Sequence, residues 1–216
     1  MNILVAAATS KEIAPFLEEY RYRSSSFTHD VDVLITGIGL TAATYSIGKQ
    51  VQVKRPDLII QAGIAGCFDT SIPLGTVVVV KKEIIADQAV IEDKEWKTLF
   101  DLNLLPPDQR PYTNQWLVNK SEILKKIKLK KVTAISINEI STSAQKINWY
   151  CELFNPVTES MEGAALHYVA LMENIPFVQL RSISNYIGER NKANWNFRDA
   201  IQNLNHQLSR LLLSKL

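Results

Sequence analysis

The stretch TESMEGAALHYVALMENIPFVQLRSISN, residues 158–185, decides the fold. Met161-Glu162 open a segment whose apolar spacing predicts a helix over 161–173, and Pro176 then turns the chain into an apolar run of strand length, 177–184. That strand ends in a polar pair, Ser184-Asn185. A helix feeding a buried strand is the repeating unit of an α/β sheet. It presents one acid, Glu162, and one amide, Asn185, from neighbouring element ends, where ligands of such sheets sit.

Working outward, the same alternation continues. Ile3–Ala8 is a first strand, and Ser10 is a candidate N-cap for a helix over 11–20 that turns Ile13, Phe16 and Leu17 to one side. Val31–Thr36 is a second strand, ended by Gly37-Ile-Gly39, and a small-residue helix over 40–54 stops at Arg55-Pro56. Asp57–Ala62 is a third strand, running into a loop Gly63-Ile-Ala-Gly66. The runs Gly75–Lys81 and Glu83–Gln88 follow one another without a helix, which predicts an antiparallel or strongly bent part of the sheet. Residues 89–116, with Pro106, Pro107 and Pro111, read as an irregular excursion. A helix near 120–128, capped by Asn119 or Ser121, leads to a strand over Val132–Asn138 and to loop and helix over 139–149. The last helix spaces Phe197, Ile201, Leu204, Leu208, Leu211 and Leu212 for burial on one side. Together these predict a single domain, 1–216, built as a three-layer α/β/α sandwich around a mixed, mostly parallel sheet.

Composition narrows the function classes. A net charge of +2 over 216 residues points to no polyanionic partner. The lysines at 125, 126, 128, 130 and 131 alternate with Ile123, Leu124, Ile127 and Leu129, the pattern of a helix's polar face leading into a strand rather than a nucleic-acid patch. Two cysteines, Cys67 and Cys151, make no disulfide framework and suit a reducing, cytoplasmic setting. No apolar run approaches the ~20 residues of a membrane span, and the N-terminus lacks a signal peptide's basic start. His29, His167 and His206 form no pair with metal-ligand spacing, so no metal is expected; His167 reads as packing or interfacial.

Several residues carry chemistry on either of two readings. Gly37-x-Gly39 and Gly63-x-x-Gly66 suit tight turns, or loops whose exposed amides meet a ligand; neither completes a dinucleotide fingerprint. Glu12 and Glu162 are acids near helix starts, favoured there by the helix dipole or placed for catalysis. Asn185 is a strand-end cap or a base reader. Glu159 is structural, or a partner of a basic side chain such as Arg181.

The Met161-Glu162-(small)-(small) helix followed by Arg181-(small)-Ile-Ser184-(Asp/Asn) resembles the nucleoside phosphorylase/nucleosidase family. The resemblance implies a cofactor-free cleavage of a purine nucleoside. In that family the Met packs on the ribose, the Glu accepts its 2′ and 3′ hydroxyls, and a Glu at the spacing of Glu12 activates water. Gly39, Ala65 and Gly66 stand where the family has its sugar- and anion-binding loops, with Ser184 beside the base reader. Adenine-specific members carry Asp where this chain has Asn185. An Asn amide offers two donors and no proton to lose, which suits a 6-oxopurine. The family also implies a homodimer or larger assembly, with a neighbour closing the sugar's 5′ end. Which residue covers the purine is open, with Trp149 and Tyr186 as candidates. The glycine loops lack a phosphate-binding arginine, which favours water as the nucleophile.

Overall fold

The computed structural model describes residues 1–23 and 27–214. The strands are β1 (Asn2–Ala7), β2 (Asp30–Ile35), β3 (Leu58–Cys67), β4 (Val77–Ile85), β5 (Ala89–Glu92), β6 (Glu95–Thr98), β7 (Leu117–Val118), β8 (Lys131–Ser136), β9 (Thr158–Ser160) and β10 (Phe177–Tyr186). The helices are α1 (Ala14–Arg23), α2 (Leu40–Val53), α3 (Ile123–Lys126), α4 (Ala144–Phe154), α5 (Gly163–Glu173) and α6 (Phe197–Leu213).

The long central strand β3 pairs in parallel with β1 and β10, and β1 pairs with β2. At its far end β3 also meets β9 in antiparallel register, through Gly66 and Cys67. β10 runs antiparallel to β4, β4 parallel to β8, and β8 parallel to β9. The sheet is therefore mixed and mostly parallel, as expected, and one side closes into a ring through β3, β10, β4, β8 and β9. That closure brings the ends of β3, β9 and β10 around one mouth.

Alternation along the strands separates two layers. Ile3, Val5, Ile60, Ala62, Val178 and Leu180 pack with Phe16 of α1 and Leu204, Leu208 and Leu212 of α6. Leu4, Ile59 and Phe177 turn the other way, onto Ile47 and Val51 of α2 and Leu166 and Val169 of α5. The terminal helix forms as its spacing predicts, with Asn196 capping it by accepting from the Asp199 amide at 3.2 Å.

Some expectations need correction. The first helix starts at Ala14 rather than 11, because Thr9–Ile13 form a turn in which Glu12, not Ser10, bonds the backbone. Gly63–Gly66 is no loop: β3 continues through it to Cys67, since β10 is long enough to pair with it throughout. The two runs after Gly75 do make a bent part of the sheet, antiparallel to β10, but as one strand, β4, with a register shift between Val80 and Lys82. The excursion 89–116 contains a hairpin, β5–β6, whose turn residues Asp93 and Lys94 both have positive φ, 54° and 66°. The basic run is helical only over α3.

Candidate active site

A cavity of about 630 Å³ opens beyond the carboxyl ends of β1, β3, β9 and β10. Its wall includes Glu12, Ala65, Gly66, Met161, Glu162, Ser184 and Asn185, brought together from four parts of the chain. Gly39 is the one expected site residue outside that wall. Its backbone, at φ 93°, instead turns its amide onto Glu162 Oε1 at 3.0 Å, at the start of α2.

Glu12 is fixed by three donors. Oε2 accepts from the Thr9 amide at 3.0 Å and the Thr9 hydroxyl at 3.1 Å, and Oε1 accepts from the Ile64 amide at 3.1 Å. A carboxylate oxygen has two lone-pair directions, so Oε2 is filled while Oε1 retains room for one more donor, such as a water. Thr9 follows β1 and Ile64 lies in β3, two parallel neighbours, which is why one side chain reaches both.

Glu162 follows β9 at the N-cap position of α5, with its side chain turned to the cavity rather than bonded to the helix. It is 6% exposed, and burial pushes its pKa up, while Arg181 and the Gly39 amide act the other way. Arg181 Nη1 stands 3.8 Å from Glu162 Oε2 and donates to the Ile64 carbonyl at 3.4 Å; Nη2 donates to Gln61 Oε1 at 3.0 Å. Nη1 of the guanidinium lies against Gly63, where any side chain would collide with it and crowd Glu12 Oε1. Gly63 is thus needed for close approach, not for a turn. Glu162 keeps lone pairs on both oxygens for further donors.

Asn185 follows a register shift in β10. Its Oδ1 accepts from Ser184 Oγ at 2.9 Å and its Nδ2 donates to the Tyr186 carbonyl at 3.1 Å. One of the two amide hydrogens is therefore spent on backbone, which leaves one, not two, facing the cavity. Gly66 sits opposite, and a Cβ there would press on Ile187 and Asn185.

Neither Trp149 nor Tyr186 lines the cavity. Trp149 stacks on Trp96 with centroids 5.4 Å apart, and Tyr186 donates to the Ile72 carbonyl at 3.0 Å. The apolar wall comes from Ile137, Ile140, Ile187, Trp195 and Phe197. Trp195 was missed, and Phe197, expected on the buried side of the terminal helix, instead stands at the cavity wall as that helix begins. Glu159 also lines the cavity, but its partner is Ser141, bonded through amide and hydroxyl, rather than Arg181. Burial raises the Glu159 pKa, and it raises the thiol pKa of the buried Cys67. His167 is a packing residue, fully buried with Nδ1 2.9 Å from the Leu117 carbonyl. Among the described residues no cluster of acids, histidines and cysteines is arranged to hold a metal ion, and no helix is long and apolar enough to cross a membrane.

The chain is 26% identical over 182 residues to futalosine hydrolase of Thermus thermophilus, covering 83% of this chain and 80% of that one. It is 24% identical over 190 residues to the 5′-methylthioadenosine/S-adenosylhomocysteine nucleosidase of Buchnera aphidicola, covering 86% and 79%. The fold is that of the Campylobacter jejuni nucleosidase of the same name, with a TM-score of 0.77 at 20% identity over 98% of this chain and 97% of that one. The model of the phosphorylase superfamily matches residues 3–215, and the chain belongs to that superfamily.

Proposed function

We propose that this protein is an N-ribosyl hydrolase that cleaves futalosine to hypoxanthine and dehypoxanthinyl futalosine, a step of menaquinone biosynthesis. The observation that carries the reading is the convergence of Glu12, Glu162 and Asn185 on one cavity of about 630 Å³. Glu162 and Met161 hold the ribose, the former through its free lone pairs. Glu12, with one acceptor position left on Oε1, takes a proton from the attacking water and stabilises a cationic sugar beside it. Asn185, steadied by Ser184, donates its remaining amide hydrogen to the departing purine. Ala65 and Gly66 supply the backbone edge along which the nucleoside lies. No cofactor takes part.

Water rather than phosphate is the nucleophile on this reading. The Gly37 loop continues as Leu40-Thr-Ala, and the buried Arg181 is engaged by Glu162 and Gln61. Ile38 and Ile140, apolar yet 64% and 44% exposed at the cavity wall, are consistent with a neighbouring subunit completing the site in a cytoplasmic homodimer.

A second reading, a methylthioadenosine-type nucleosidase, has support of its own: the nucleosidase relative is nearly as similar as the hydrolase one, and a single free hydrogen on Asn185 matches N7 of either purine. Free-base release from futalosine, inosine and methylthioadenosine, each with and without phosphate, separates these readings. Futalosine should be the preferred substrate, with no phosphate requirement. Preference for methylthioadenosine would establish the second reading, and a phosphate requirement would make the enzyme a phosphorylase.

A further inference from the structure

Beneath the cavity, between the sheet and α5, lies a buried polar seam that the proposed chemistry does not use. Its members are Glu83 of β4, Gln179 of β10, Ser136 of β8 and His167 of α5, with Arg181 at its edge; each is at most 1% exposed. A carboxyl, an amide and an imidazole are costly to bury unless they are bonded to something. Here the bonds of the carboxyl lead to the active-site helix. Glu83 Oε1 accepts from Ser136 Oγ at 2.8 Å, and Ser136 Oγ accepts from the Ala164 amide at 2.8 Å. Ala164 stands two residues beyond Glu162, in the first turn of α5. Gly163 lies directly on the seam, where any side chain would collide with Glu83 Oε2 and Gln179 Nε2.

We propose that Glu83 is a positioning residue, which through Ser136 and the bare backbone of Gly163 sets the angle at which Glu162 enters the cavity. This rests on the reading of Glu162 as the ribose-holding carboxylate. The α5 N-terminus has no side-chain cap of its own, so its first amides need this outside acceptor. The protonation of the seam fits the same arrangement. Burial pushes the Glu83 pKa up to about 7, with Ser136, Arg181 and Gln179 acting against burial and Glu162 adding to it. Burial also pulls His167 down to about 4, so it is neutral at pH 7, and its Nδ1 must carry the proton given to the Leu117 carbonyl. A neutral Glu83 leaves Arg181 as the cation of Glu162 alone. As pH rises through about 7, Glu83 ionises and competes for that cation.

The test compares Glu83→Ala, Glu83→Gln and Ser136→Ala. Exchange of the Gly39 amide, whose acceptor is Glu162 Oε1, reads the placement of Glu162 without any substrate. In Glu83→Ala it should quicken about tenfold or more, while core amides of β1 and β3 stay as in the parent. Glu83→Gln, which keeps the acceptor, should restore it to within about threefold. Ser136→Ala should repeat the Ala result and serves if Glu83→Ala does not fold. KM for the nucleoside should rise in parallel, while inhibition by free hypoxanthine, which does not reach Glu162, stays constant. Parental Gly39 exchange in both Glu83→Ala and Ser136→Ala, or in Ser136→Ala alone where Glu83→Ala does not fold, would overturn the proposal. So would Glu83→Gln behaving like Glu83→Ala. A parent without nucleoside turnover would overturn the functional reading instead, and the exchange data would still decide the placement.

Discussion

The two sides of the central sheet are made by the same strands and do different work. On the side of α1 and α6, β1, β3 and β10 offer Val5, Ile60, Val178 and Leu180, and the layer is mostly apolar, with the buried Asn205 and Ser209 of α6 bonded to α1 and the turn before it. On the side of α2 and α5 the next residues along are Gln61, Gln179 and Arg181, all buried, with Glu83 from β4. A mostly apolar layer gains stability from nearly every residue and places no reactive group at the site. A polar layer sacrifices some of that gain and obtains a fixed array of donors and charges under the site. Stability and function are thus divided between faces, and substitutions on each should separate them.

The largest effect belongs to the site. Glu12→Gln should lower kcat by ~10²–10⁴-fold, the usual worth of a general base, with KM and melting temperature little changed. A variant with near-parental kcat would remove Glu12 from the mechanism. On the opposite face, Leu208→Ala empties a fully buried position in α6 and should destabilise by about 2–5 kcal/mol in urea unfolding. Below its unfolding transition it should keep the parental kcat/KM; an activity loss as large as the stability loss would blur the division proposed here.

The seam gives the third comparison, read by pH. Because the folded-state pKa of Glu83 is raised from 4.5 to about 7, the folded state binds a proton more tightly than the unfolded one. The corresponding stability is fully present below about pH 4.5 and is lost as pH rises to about 7, on the order of 3 kcal/mol in all. Glu83→Gln should flatten that decline in urea midpoints between pH 5 and 7.5; an unchanged slope would mean that Glu83 titrates as an ordinary carboxyl. The smallest effect is selectivity. Asn185→Asp should shift the ratio of kcat/KM for futalosine over its 6-amino counterpart by about one to two decades towards the amine, the cost of ~1–3 kcal/mol for one mispaired buried group. A ratio that does not move means Asn185 is not the base reader.

How much of this was legible in the sequence follows the same division. Glu12, Glu162 and Asn185 stand at element ends, where strand and helix periodicity marks positions well, and all three do line one cavity. The α6 stripe was legible over Leu204, Leu208 and Leu212 because its spacing is complete within one segment, whereas Phe197, expected on the same side, is left 38% exposed. The seam was not. Gln179 and Arg181 alternate with apolar residues in β10, and only the packing of α5 on that side buries them. The role of Gly63 was hidden for the same reason, since its neighbours Arg181 and Glu12 are remote in sequence. Trp195 and Phe197 were missed as walls, and the candidates Trp149 and Tyr186 do not line the cavity, because which aromatic faces a cavity depends on how loops fold back. Local propensity does not encode that.

Hydrolysis of a purine nucleoside at the cavity around Glu12 and Glu162 leaves an oxygen of water on the sugar. The most direct measurement is a turnover of futalosine in phosphate-free, oxygen-18-enriched water, with mass analysis of the sugar product. Hypoxanthine should be released, and the heavy oxygen should appear once, at the anomeric hydroxyl of dehypoxanthinyl futalosine, with Glu12→Gln giving almost none. Failure to release hypoxanthine, or release only on adding phosphate with a sugar 1-phosphate as product, would contradict the account.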